Sequence, residues 1–185
     1  MIDVIFGLAI SIALDTTTGA RIADDPWVNE QIDTANALYA PTGVRFRWTI
    51  ETTLPEPHGE LHSRSDRDAL SKRLESRVIN VFLVRELEDV DEPGRNRMGV
   101  TWKSRTDQKR YIVVARSARP SVLAHELGHF FGNQHSKVTN NLMSYSRDGD
   151  TIFLDDAQKK TITSFGETFL ASGRLIDVGP PRRFF

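Results

Sequence analysis

Residues 125 to 135 read HELGHFFGNQH and hold three of the five histidines of a 185-residue chain. On an α-helix each residue advances about 100°. His125 and His129 therefore lie within about 40° of each other, one turn apart, and can grip one metal ion. Leu123, Leu127, Phe130 and Phe131 fall on the opposite side and form a core face, a division that Val122 breaks. Glu126, one residue beyond the first histidine, stands beside an ion rather than on it. Gly132 permits a left-handed turn that ends the helix. The chain can then swing back and offer His135 as a third ligand. The segment thus demands a helix over Ser121 to Phe131 with a buried face, and a reversal after it.

The chain has no cysteine. Disulfides, cysteine-ligated zinc and a thiol nucleophile are excluded. Three imidazoles without thiolates favour zinc over Fe–S or Cu(I) chemistry. Three neutral ligands leave Zn²⁺ its full charge and one open position, and such an ion lowers the pKa of water toward about 7. Glu126 is then placed to take the water's proton and return it to a leaving amine. That chemistry is peptide hydrolysis without a covalent intermediate. Lys plus Arg is 24 against 25 for Asp plus Glu, so the chain lacks the basic excess of an electrostatic nucleic-acid binder.

Around this segment strands and helices alternate. Val4 to Leu14 is an eleven-residue apolar run without a preceding Lys or Arg, too short to span a bilayer, and reads as a buried strand rather than a signal sequence. Asp25 and Pro26 supply an N-cap and first-turn proline. Val28, Ile32, Ala35 and Tyr39 then mark a helical face that Pro41 and Gly43 stop. Val44, Phe46 and Trp48 alternate with polar residues, which predicts a half-buried strand. Leu54 to Ser65 reads as an exposed loop, Arg67 to Leu74 as a short helix, and Val78 to Val84 as a central strand. Arg85 to Arg97 reads as a loop, followed by short strands at Met98 to Trp102 and Tyr111 to Ala115. A last helix starts at Asp155, where Asp155 and Gln158 form a capping-box pattern, with Ile162, Phe165 and Phe169 on its face. Pro180, Pro181, Arg182, Arg183, Phe184 and Phe185 form a tail.

HELGHFFGNQH resembles the elongated zinc motif of the metzincin clan of metallopeptidases. Asn141-Leu142-Met143-Ser144-Tyr145, its methionine eight residues beyond His135, resembles the Met-turn of that clan. The resemblance implies that Met143 is the apolar floor beneath the histidines. It implies that Tyr145 reaches the metal or the transition-state oxyanion, where a phenol can donate to developing charge. It implies an α+β fold: a twisted, mostly parallel five-stranded sheet with an antiparallel edge strand, a backing helix and a zinc helix. An upper subdomain would span 1–135 and a small lower subdomain with one helix 136–185, both within a single catalytic domain. The edge strand at Met98 to Trp102, with Gly99, Val100, Thr101 and Trp102, would pair with an extended substrate. Residues 146–153 would border the pocket for the side chain after the cut bond. The resemblance also implies a latency segment before the first strand; the sequence does not carry one, so such a segment would have been removed, lie outside this sequence, or never have existed.

The leading expectation is a zinc-dependent endopeptidase acting on protein or peptide substrates, monomeric, without a membrane span, and secreted or periplasmic by analogy. Two alternatives stay open: a catalytically silent metal-binding module of the same fold, and a zinc hydrolase of a non-protein amide. His58 and His62 flank Glu60 but lie in a Pro/Gly loop, so they read as solvated. Asp148-Gly149-Asp150 lacks the other positions of a calcium loop and reads as a turn.

Overall fold

The structure, a computed structural model, describes residues 2–149 and 151–179. Five strands form the main sheet: β1 (Val4–Ala13), β2 (Val44–Leu54), β4 (Ile79–Val84), β6 (Gly99–Lys103) and β7 (Arg110–Ala115). Their order is β2-β1-β4-β7-β6; all neighbours run parallel except the antiparallel β6–β7 pair at the edge. The mostly parallel sheet with one antiparallel edge strand is therefore as expected. β1 lies inside the sheet, and eight of its ten residues are buried. This accounts for its nearly unbroken apolar run, because a strand covered on both faces loses the alternation of a half-wet one.

Two short strands, β3 (Glu60–Leu61) and β5 (Glu86–Leu87), pair in parallel inside segments expected to be loops. Two residues each give no periodicity to read. The short helix α2 is Arg64–Ala69 rather than 67–74, continued by a 3₁₀ turn over Leu70–Arg73. Its start is fixed by a capping box in which Ser63 and Asp66 satisfy each other's backbone N–H groups.

The backing helix α1 (Asp25–Tyr39) is capped by Asp24, whose side chain accepts from the Trp27 N–H at 3.0 Å; Asp25 is already helical. The expected cap was one residue late because both aspartates fit the rule. α1 joins the histidine-bearing helix α3 (Val122–Phe130) through two buried polar groups. Gln31 donates to the Arg119 carbonyl at 2.9 Å and accepts the Leu123 N–H at 3.2 Å, and Tyr39 donates to the Ala124 carbonyl at 3.0 Å. Tyr39, Phe46, Phe131 and Phe6 pack with ring centroids 5.2 to 6.4 Å apart. Their burial seats the core face of α3 and leaves its imidazole face to the cleft.

The last helix, α4 (Asp156–Ala171), carries the expected box between Asp155 and Gln158. Ile162 and Phe169 are buried, but Phe165 is 37% exposed. Among the described residues no helix is long and apolar enough to cross a membrane. Asp150 and the tail from Pro180 to Phe185 lie outside the described residues.

Candidate metal centre and active-site cleft

Three imidazoles converge. His125 Nε2 lies 3.1 Å from His129 Nε2, which lies 3.0 Å from His135 Nε2. The route to the third ligand is a helix end. Gly132 has φ +90°, its N–H donates to the His129 carbonyl, and the Asn133 N–H donates to the Gly128 carbonyl at 2.9 Å. That pair of bonds is a Schellman motif, in which a left-handed glycine closes the orphan carbonyls. The reversal expected from Gly132 is present and delivers His135 to the other two.

The far side of each helical imidazole decides its proton. His125 Nδ1 lies 2.7 Å from the Leu142 carbonyl, and His129 Nδ1 lies 2.8 Å from the Asn133 carbonyl. A carbonyl only accepts, so both Nδ1 atoms carry hydrogen and both neutral rings present bare Nε2 lone pairs. Tyr145 Oη lies 2.8 Å from His135 Nε2, a contact in which either atom can be the donor. The bare Nε2 atoms of His125 and His129, 3.1 Å apart, cannot hydrogen-bond one another; they repel unless a cation stands between them. The donor set therefore fits a divalent metal, with each helical ligand held from behind by a backbone acceptor. Burial pushes His125 down to about 4, and also lowers His129 and His135 below the ordinary histidine value. All three stay neutral at pH 7, as ligands must.

Glu126 is buried on the same helix. Burial raises its carboxyl to about 7, against the opposing hydrogen bonds from Thr101. The Thr101 hydroxyl sits 2.6 Å from the Glu126 carbonyl and 3.0 Å from its Oε2. Gly99 lets β6 approach this closely. A Cβ there would fall 2.7 Å from Val122 Cγ1 and 3.0 Å from Glu126 Cγ.

Met143 is fully buried against Gly128 of α3. Its N–H donates to Asn141 Oδ1 at 2.9 Å, and its carbonyl accepts from the Ser136 N–H at 2.9 Å. Asn141 and Gln158 exchange two bonds of 2.9 Å, so the cap of α4 also holds this turn. Gly128 makes room for Met143: a Cβ there would lie 2.3 Å from its Sδ. Neither Gly128 nor Thr101 stood out as a supporting residue in the sequence, because a glycine inside a helix and a threonine inside a strand carry no spacing signal.

A cleft of about 560 Å³ opens over His125, Glu126, His135 and Tyr145. Gly99 lines it, whereas Val100, Thr101 and Trp102 do not. The expected pairing of this strand with a substrate runs through its backbone, and the side chains of Thr101 and Trp102 are engaged by the protein itself. Thr101 turns inward to Glu126, and Trp102 donates to Asp68 Oδ1 at 2.8 Å beneath the Arg67 guanidinium. β6 nonetheless remains at the sheet edge.

The other candidates resolve into ordinary contacts. His62 meets Glu88 at 3.2 Å, close to Glu60 and Glu86, but Arg85 engages Glu60 at 3.0 Å and Asn96 engages Glu86 at 2.8 Å. His58 does not join that group. The Asp148 N–H donates to Asn140 Oδ1 at 2.7 Å and Gly149 has φ +84°, while Asp150, the third residue of the expected turn, lies outside the described residues.

No family model matches the chain, and no curated protein matches it in sequence. Solved structures do match it in fold. Mirolysin, solved in complex with compound 9, aligns at a TM-score of 0.73 and 9% identity, over 96% of this chain and 97% of that one. Metalloproteinase-II from Bacteroides fragilis aligns at 0.63 and 12% identity, over 88% of this chain and 53% of that one. Archaemetzincin from Methanopyrus kandleri aligns at 0.57 and 18% identity, over 88% and 96%.

Proposed function

We propose, on the premise that this chain has the fold of the metzincin metallopeptidases, that it is a zinc-dependent endopeptidase. The observation that carries this reading is the trio of imidazole Nε2 atoms facing one another beside a buried carboxylate. His125, His129 and His135 would hold the zinc. When bound, zinc supplies Lewis acidity, which polarises the scissile carbonyl and acidifies water.

The chain's own residues do the rest. Glu126 takes a proton from the attacking water and delivers it to the leaving amine nitrogen, so one carboxylate serves both halves of the hydrolysis. Thr101 donates to Oε2 and fixes the carboxylate's orientation. Tyr145 offers its phenol to the oxygen that gains negative charge. The edge of β6 at Gly99 offers unpaired backbone groups to an extended peptide.

Incubation of the zinc-loaded protein with a diverse peptide library tests the reading. Cleavage at internal bonds is expected. Glu126→Ala is expected to lower the rate by about 10²–10⁴ with the zinc content unchanged. Intact peptides after prolonged incubation with fully metallated protein would overturn the assignment.

A further inference from the structure

We propose that this cleft selects peptides carrying a carboxylate next to the bond to be cut, and that Arg119 and Arg147 receive that carboxylate. The inference rests on the endopeptidase reading of the same cleft and adds its substrate class.

Four arginines line the cleft: Arg95, Arg97, Arg119 and Arg147. Two are neutralised by acids that line it with them. Arg97 meets Asp89 at 2.7 Å, and Arg95 meets Glu92 at 2.7 Å. Among the described residues Arg119 and Arg147 form no ion pair with a carboxylate. Glu126, the one further acid of the cleft, is engaged by Thr101. The whole chain carries a net charge of -1, so this excess of positive charge belongs to the cleft rather than to a generally basic surface.

Arg147 is built in rather than loose. Its Nη1 donates to the Asn141 carbonyl at 2.9 Å and the Ser146 carbonyl at 3.2 Å, and its Nη2 donates to the Leu142 carbonyl at 3.2 Å. These bonds hold the head group while leaving Nε–H and one Nη2 proton for a ligand, since a guanidinium has five donors in a fixed fork. Burial and the nearby Arg119 both push Arg147 below the ordinary guanidinium value. Two like charges are thus held together with no counter-ion from the protein's described residues. The start of α3 adds to them: Ser121 and Val122 line the same cleft, Ser121 makes no capping bond, and the first turn contains no acid. The helix dipole adds partial positive charge at this end, although the Val122 and Leu123 N–H groups are already bonded to the Arg119 carbonyl and Gln31 Oε1. A peptide carboxylate supplies the missing charge and matches the fork in shape.

Pairs of C-terminally amidated peptides that differ only by Glu, Gln or Lys beside the scissile bond distinguish the cases. A free-acid version of the Gln peptide tests the chain-end carboxylate as the source. Turnover is read with the zinc-loaded protein, and binding with zinc-loaded Glu126→Ala, so loss of cleavage does not hide selectivity. We expect Glu over Gln by roughly tenfold or more in kcat/KM and in binding, the gain of a hydrogen bond to a charged group, with Lys worst and the preference shrinking as salt rises. Arg119→Glu should erase or invert the preference by raising KM for the Glu peptide while the Gln peptide is still cut. Arg147→Gln, which keeps a donor for the turn carbonyls, should weaken the preference in the same direction. A preference for the free-acid peptide alone would support the arginine pair and place the carboxylate at the chain end. Equal binding and turnover of the Glu, Gln and Lys peptides would overturn the proposal. Absence of all cleavage together with Glu-selective binding would overturn the peptidase reading and leave this one standing.

Discussion

Gly128→Ala inverts the usual sign of its substitution. In an exposed helix, alanine in place of glycine stabilises by about 0.5–1 kcal/mol, because glycine loses more chain entropy on folding. Gly128 sits in the interior of α3, and its missing side chain points at Met143. A Cβ would stand 2.3 Å from Met143 Sδ, 3.0 Å from Cε and 3.5 Å from Tyr39 Oη. Ordinary contact needs about 3.5–4.0 Å, so the sulfur must retreat by more than about 1 Å. Met143 is fully buried, its N–H and carbonyl are tied to Asn141 and Ser136, and Tyr39 is pinned to the Ala124 carbonyl. Overpacking of that kind costs about 1–3 kcal/mol, with the upper half expected where the backbone on both sides is held. Subtracting the helix gain leaves a net loss of about 1–2 kcal/mol, or a fall of roughly 2–8 °C in melting temperature for a chain of this size. Zinc affinity should fall with it, because His125 and His129 flank residue 128. Urea denaturation of the metal-free protein and zinc competition titrations read the two effects. Adding Met143→Ala should couple with Gly128→Ala by about 1 kcal/mol or more, since the neighbours share one space. A Gly128→Ala protein more stable than the parent, or strict additivity in the double variant, would refute the steric account.

Zinc affinity should hold from pH 7 to about pH 6 and then collapse toward pH 4. Burial lowers the protonation range of all three histidines, His125 to about 4, so protons compete only below the ordinary histidine value; affinity already lost at pH 6.5, or undiminished at pH 4, would contradict this. Thr101→Val removes the hydroxyl that favours the ionised form of Glu126. Activity needs the carboxylate, so the acid limb of the kcat/KM profile should move up by roughly one pH unit, about 1.4 kcal/mol of lost bonding, and pH 6 activity should fall more than pH 8 activity. An unchanged acid limb would show that Thr101 bonds only the backbone.

What could be read in the chain, and what could not, follows the range of each interaction. The face of α1 over Val28, Ile32, Ala35 and Tyr39 and the Asp155–Gln158 box are local patterns, and both stand in the structure. The ligand set was legible for the same reason: two histidines one helical turn apart and a glycine that reverses the chain are properties of eleven residues. β3 and β5 escaped notice because two-residue strands exist only through each other. The partners of Trp102 were equally illegible, because Asp68 and Arg67 lie more than thirty residues earlier in the chain.

The deeper gap concerns backbone partners. The imidazole tautomers are set by the carbonyls of Leu142 and Asn133, and every residue type has a carbonyl, so no composition or spacing announces these two. Their positions were nonetheless encoded at one remove. Gly132 in the left-handed region places the Asn133 carbonyl behind His129. The Asn141 side chain, locked to Gln158 and to the Met143 N–H, shapes the turn that places the Leu142 carbonyl behind His125. The ligands are therefore only half of what the sequence specifies at this site; the other half lies in the turn-forming residues that decide which nitrogen of each ring is left bare. On that account Asn141 and Gly132 belong to the metal centre as much as Met143 does, although neither touches the ion's position.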